Sequence, residues 1–78
     1  MYILTCSDGT LYTGITNNLE RRLSEHNTKK GARYTRTRTP VVLSYYECCN
    51  GISEALKREK QIKRLKRKDK LLLIEKTS

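Results

Sequence analysis

The sequence predicts an α+β fold: a three-stranded, mainly antiparallel sheet flanked by helices, in the order ββαβαα. Three observations carry this. Two short apolar and β-branched runs, YILTC and TLYTGI, are separated only by Ser7-Asp8-Gly9, which reads as a hairpin. Two segments, NNLERRLSEHN and SEALKREKQIKRL, place leucines and isoleucines at helical spacing behind a capping residue. A third apolar run, VVLSYYECC, follows Pro40 and supplies the last strand.

Each element has its own local reason. The first strand is expected at 2–6 and the returning strand at 10–15, with Gly9 free to take a positive φ in the turn. Gly14, inside a strand, points to a close approach to the backbone. Asn17 or Asn18 can cap a helix at 18–27, whose core contacts are Leu19 and Leu23. Lys29, Lys30 and Gly31 end it, and the Arg- and Thr-rich segment GARYTRTRTP is expected to be a loop. In the strand at 41–48, Tyr45 and Tyr46 face opposite sides. Ser53 is the expected cap of a long helix at 53–66, with Ala55, Leu56, Ile62 and Leu65 as its apolar stripe. Residues 67–69 are charged and expected to break it. Leu71 to Ile74 then form a short terminal helix or an extension of the same one.

Composition bounds the function. The chain has 78 residues, enough for one small domain over 1–78. Its thin core, without Trp or Phe, predicts marginal stability. Cys6, Cys48 and Cys49 are an odd number with no CxxC metal spacing. They read as reduced, mostly buried thiols in a reducing compartment. With no signal peptide and no apolar run long enough to span a bilayer, a cytoplasmic location without membrane contact is expected. Lys and Arg total 17 against 8 acids, a formal charge of +9. That excess favours a polyanion, most simply nucleic acid. A basic solvated surface or a ribosome-associated protein is the bland alternative.

The stretch from Tyr12 to His26 carries the chemistry. Arg22 and His26 lie four residues apart, one turn of helix, so they point the same way. A phenol, a guanidinium and an imidazole gathered in one place suit phosphodiester chemistry. Glu59 is the only acid inside the otherwise apolar stripe of the second long helix. One carboxylate plus waters and substrate oxygens suits Mg²⁺ or Mn²⁺. Each residue alone has a bland reading: core rings with exposed hydroxyls, solvated charges, or Glu59 paired with Lys63 at i+4.

As a set, these residues resemble the GIY-YIG nuclease domain, and more narrowly the small stand-alone bacterial GIY-YIG proteins. The resemblance rests on Tyr2-Ile3-Leu4, Tyr12-Thr13-Gly14, Arg22, His26, and Glu54-Ala55-Leu56 followed by Glu59. It covers nearly the whole chain. The departures are YIL in the first motif, Thr13 where the second motif has isoleucine, and no clear match to a late asparagine. The chain begins one residue before Tyr2, which is expected to leave that ring loosely held. The resemblance implies a metal-dependent DNA endonuclease, with Tyr2 as general base and Glu59 as the metal ligand. Its phenol would need a depressed pKa. Tyr12 would hold the water or a phosphate oxygen, Arg22 the phosphate, and His26 would take or orient the tyrosine proton. Arg33, Arg36, Arg38, Lys57, Arg58, Lys60 and Lys63 are the expected phosphate contacts. Nothing resembles a specificity domain, so substrates chosen by structure or damage are expected, or a protein partner that supplies specificity. The alternative is a non-catalytic DNA- or RNA-binding module on the same fold.

The mechanism makes a geometric demand. A two-residue Asp8-Gly9 turn would put Tyr2 and Tyr12 on opposite faces. A three-residue Ser7-Asp8-Gly9 loop pairs Leu4 with Tyr12, so that Tyr2, Leu4, Tyr12 and Gly14 share a face. Arg22 and His26 should then lean over that face, and Gly14 should leave room beside Tyr2 for a phosphate.

Overall fold

The computed structural model describes residues 1–76. Strand β1 (Tyr2–Thr5) returns as β2 (Leu11–Gly14). Helix α1 (Leu19–Asn27), a single turn α2 (Arg33–Arg36), β3 (Val42–Tyr46), α3 (Ile52–Arg64) and α4 (Arg67–Lys76) follow. The antiparallel sheet has the order β2-β1-β3, with β1 in the centre. The order ββαβαα is therefore present. The turn α2 is added within the segment expected to be a loop.

The hairpin has the register the site requires. Leu4 pairs with Tyr12 and Tyr2 with Gly14. The loop is Ser7-Asp8-Gly9: the Cys6 N–H donates to the Thr10 carbonyl at 2.8 Å, and Gly9 takes φ +84. Asp8 stabilises the loop by accepting from the Thr10 N–H at 3.1 Å and its hydroxyl at 2.6 Å. An odd-length loop puts both tyrosines on one face.

Each face of the sheet has its own core. Tyr2, Leu4, Cys6 and Val41 are buried together against Tyr12, Leu19 and Leu23. On the other face Met1, Ile3, Tyr45 and Ile62 pack with Leu11, Cys49, Leu73 and Ile74. Helix α1 thus covers the tyrosine face, while α3 and α4 cover the reverse, and α3 also packs along the edge strand β2. Tyr45 is buried and Tyr46 exposed, as the alternation predicts. Thr13 sits on the reverse face with its hydroxyl buried and unpaired among the described residues.

Several expectations are corrected. Tyr2 is not loosely held: it is 2% exposed. The strand end is tied down by the Met1 ammonium donating to the Glu47 carbonyl at 3.2 Å and the Glu47 N–H donating back to Met1 at 2.8 Å. Of the three free thiols only Cys6 is buried. Helix α3 starts at Ile52 directly after Gly51, without a side-chain cap, so Ser53 lies inside it. The break after α3 falls at Leu65, whose ψ of 147° is extended, and residues 67–69 form the first turn of α4 instead. The apolar stripe of α3 is narrower than expected. Ile62 is buried and Ala55 half-buried, whereas Leu56 and Leu65 are exposed.

Helix α1 is capped by Asn18, whose side-chain oxygen accepts from the Arg21 N–H at 3.1 Å. Its far end is clamped by Asn27. The amide donates to the Val41 carbonyl at 3.1 Å and accepts from the Val41 N–H at 2.7 Å. This two-point bond fixes the helix against the start of β3, and with it the residue just before, His26.

Candidate active site

Four elements converge over the tyrosine face. Tyr2 and Tyr12 lie with ring centroids 6.4 Å apart, and His26 stands edge-on to both, 6.0 and 5.3 Å away. The Tyr2 hydroxyl is hydrogen-bonded to His26 Nε2 at 3.0 Å, and His26 Nδ1 to the Thr35 hydroxyl at 2.6 Å. His26 and Thr35 are both fully buried.

The electrostatics divide the roles. Burial pushes the Tyr2 phenol above its ordinary 10, with Tyr12 and Glu59 adding to the effect and Arg22 opposing it. The depressed phenol expected from the sequence is therefore corrected: desolvation outweighs the guanidinium. Burial, then the Arg22 charge, holds His26 below 6.5, so the ring is neutral at pH 7. Tyr2 keeps its proton at rest, beside a neutral imidazole able to accept it.

Arg22 is about one-third exposed and its guanidinium is 3.4 Å from Glu25. Its own pKa is raised, first by the Tyr2 hydroxyl and then by Glu25. Glu59 follows Ala55 by four residues and precedes Ile62 by three, so it shares the inward face of α3. Its side chain is only 18% exposed, 3.6 Å from Lys63, and its charge is felt at Tyr2. Among the described residues no cluster of three or more His, Cys, Asp or Glu side chains could hold a metal. One carboxylate whose charge reaches Tyr2 fits a hard cation that keeps its waters and shares substrate oxygens, such as Mg²⁺. It does not fit a closed all-protein metal site.

Tyr12 is braced from outside. Tyr34 stacks on it at 5.9 Å, with 25° between planes. The Arg38 guanidinium lies 4.0 Å from the Tyr34 ring centroid, donates to the Tyr34 carbonyl at 2.8 Å and pairs with Asp8 at 3.0 Å. Arg38 thus ties the hairpin loop to α2. Arg58 is engaged as well, with two bonds to Glu47 at 2.8 and 2.9 Å, and Tyr45 also donates to Glu47. Arg33, Arg36, Lys57, Lys60 and Lys63 are exposed.

Three site residues escape a reading of the sequence. Thr35 and Tyr34 look like two members of a polar loop, and only the turn α2 brings them to the site. Gly31 reads as a helix terminator, yet Lys29 makes the left-handed turn, at φ 64. Gly31 is a glycine because the His26 ring lies on it: an added Cβ would sit 2.8 Å from Cγ of His26. Gly14 is similar. The space above it, expected for a phosphate, is filled by Tyr2 itself, whose hydroxyl would lie 2.6 Å from an added Cβ.

A groove of about 690 Å³ lies elsewhere. It runs between Ile15–Leu19, the end of β3 and the start of α3. None of the five converging side chains lines it.

The chain is similar to several known proteins. A UPF0213 protein from Desulfotalea psychrophila is 62% identical over 66 residues, 83% of this chain and 60% of that protein. The chain thus spans about three-fifths of that relative's length. A UPF0213 protein from Staphylococcus haemolyticus is 52% identical over 96% of this chain and 92% of its own. Among solved structures, the solution NMR structure of a UPF0213 protein from Bacillus halodurans is 40% identical. It covers 95% of this chain and 79% of that one, with a TM-score of 0.60. The model of the GIY-YIG catalytic domain matches residues 1–72, from the buried Tyr2 through α3 and into α4. The tyrosine hairpin, the helix that carries Arg22 and His26, and Glu59 all lie within the matched residues, and the chain belongs to the GIY-YIG family.

Proposed function

We propose that the chain is a metal-dependent endonuclease that hydrolyses phosphodiester bonds in DNA. The observation that carries the reading is the buried hydrogen bond between the Tyr2 hydroxyl and His26 Nε2, 3.0 Å long. Attack on phosphorus requires a water to lose its proton as it bonds. Tyr2 takes that proton while passing its own to Nε2, so the two act as one base and no free phenolate is needed. Arg22 offers a planar, permanent charge to a phosphate oxygen, stabilising the extra charge of the transition state. Tyr12 holds the water or a second phosphate oxygen. Glu59 would hold the metal, Mg²⁺ or Mn²⁺, which when bound polarises the phosphate and stabilises the leaving oxygen.

Exposed Arg33, Arg36, Lys57, Lys60 and Lys63 would carry the phosphate contacts, with Arg38 and Arg58 joining only by giving up their ion pairs. Such contacts hold any sequence equally. The reading therefore extends to substrates chosen by structure or damage, or to specificity supplied by a protein partner. Nicking of supercoiled plasmid in Mg²⁺, abolished by EDTA, is the expected result. Affinity for duplex DNA should fall by roughly 0.9 log units per contacted phosphate for each log unit of salt. Salt-sensitive binding with no nicking in Mg²⁺ or Mn²⁺ would replace the enzyme with a binding module on the same fold.

Gly14→Ala tests the position of the base. The added Cβ would collide with the Tyr2 hydroxyl, 2.6 Å away, and crowd the Tyr12 ring at 3.2 Å. Nicking should fall roughly a hundredfold, the cost of misplacing a reacting group by about an ångström. DNA affinity should stay near wild type. An unchanged rate would remove Tyr2 from the reaction.

A further inference from the structure

The Tyr2–His26 pair works as a base only if Nε2 carries a lone pair, and a neutral imidazole has two tautomers. We propose that Thr35 is a positioning residue that holds His26 in the Nδ1–H tautomer, leaving Nε2 as the acceptor for the Tyr2 proton. The inference rests on the nuclease reading for its consequence, though not for its geometry.

The hydrogen-bond chain has a direction that can be read from both ends. At the far end, the Thr35 hydroxyl lies 3.0 Å from the Ala32 carbonyl, to which it donates. A carbonyl only accepts. The Thr35 proton is thereby committed, and its oxygen, 2.6 Å from His26 Nδ1, accepts from Nδ1–H. At the near end, the Tyr2 hydroxyl is buried and its hydrogen-bond partner among the described residues is His26 Nε2. Its proton is directed to Nε2. The reversed chain would turn Nε2–H toward the Tyr2 oxygen and leave a buried phenol proton without an acceptor, at a cost. Both ends select the same tautomer.

Among the described residues the imidazole has no other hydrogen-bond partner for its ring nitrogens. It faces Tyr2 from β1, Tyr12 from β2 and Thr35 from α2, with Arg22 and Glu25 on its own helix. Gly31 covers one side of the ring. On attack, the water proton goes to the Tyr2 oxygen and the Tyr2 proton to Nε2. The resulting imidazolium is held by two donated hydrogen bonds, Nε2–H to Tyr2 and Nδ1–H to Thr35. Thr35 touches neither substrate nor metal and acts through His26 alone.

The test reads the tautomer directly. Long-range proton–nitrogen correlation spectra of ¹⁵N-labelled protein near pH 7.5 distinguish a protonated imidazole nitrogen from a bare one, and His26 is the only histidine. The wild type should show a bare Nε2 and a protonated Nδ1. Thr35→Ser keeps the hydroxyl and should keep that pattern and the nicking rate. Thr35→Val should lose it, giving mixed tautomers. Its nicking rate should fall by roughly ten- to a hundredfold, the usual loss when the group orienting a working imidazole is removed. A wild-type spectrum with Nε2 protonated overturns the proposal, and that result needs no variant to fold. So does a Thr35→Val protein with an unchanged tautomer. A wild type that has the proposed tautomer but never cleaves DNA sinks the nuclease reading and leaves the role of Thr35 standing.

Discussion

Glu59→Gln is expected to lose roughly a thousandfold or more in nicking rate while folding normally and keeping most of its affinity for DNA. The size follows from the several kcal/mol of charge stabilisation that a metal ion contributes at a phosphoryl centre. Glutamine keeps the shape of the side chain and removes the charge that would hold the cation. The surroundings of Glu59 make the change mild for the fold. Its ion pair with Lys63 is 3.6 Å long and Lys63 is half-exposed, so little stability is lost with it. Removing a negative charge from a basic surface also favours DNA binding slightly. Loss of cleavage with intact binding and an unchanged melting temperature is therefore the expected signature. Cleavage at the wild-type rate in Mg²⁺ would show that Glu59 holds no essential ion.

Gly31→Ala is expected to have the largest effect on stability of any single methyl added to the chain. The new Cβ would lie 2.8 Å from Cγ and 2.9 Å from Cα of His26, and closer still to Nδ1. The obstruction includes backbone, and the ring above it is fully buried, so nothing can swing aside. Overpacking of this kind costs about 1–3 kcal/mol. Losing the Tyr2 and Thr35 hydrogen bonds adds about 1–3 kcal/mol for buried groups left unpaired. A domain of this size melts roughly 4–8 °C lower for each kcal/mol lost, so a fall of at least roughly 10 °C is expected by calorimetry. Gly9→Ala is the control. It meets open space but requires φ +84, and should cost only about 1 kcal/mol. A Gly31→Ala protein that melts within a few degrees of the wild type would show that His26 is not pressed on that glycine.

The elements that local chemistry controls were legible. The hairpin register follows from loop length and side-chain alternation: Ser7-Asp8-Gly9 allows a two- or a three-residue loop, and the three-residue loop, which is the one formed, puts Tyr2 and Tyr12 on one face. The α1 cap at Asn18 and the one-turn spacing of Arg22 and His26 are likewise properties of a dozen neighbouring residues. Boundaries set by tertiary packing were less legible. Ser53 is a good cap by type, yet α3 begins before it. The cysteines look alike in sequence, and only the sheet decides that Cys6 is inside and Cys48 outside.

The family, the alternation of strands and helices, and the candidate side chains of the site can all be read from the residues in order. These are encoded in short-range spacing, which acts before the chain is compact. The state of those side chains is set by packing instead. Whether the Tyr2 phenol is depressed or raised depends on how much water is removed from it, and burial at 2% exposure wins over the nearby Arg22. Whether Arg38 and Arg58 are free for phosphate depends on Asp8 and Glu47, which lie 30 and 11 residues away along the chain. The tautomer of His26 depends on Thr35, nine residues on, in a turn the sequence does not announce. Solvation and hydrogen-bond direction are properties of the whole packed surround of an atom, and that surround exists only once the chain has folded.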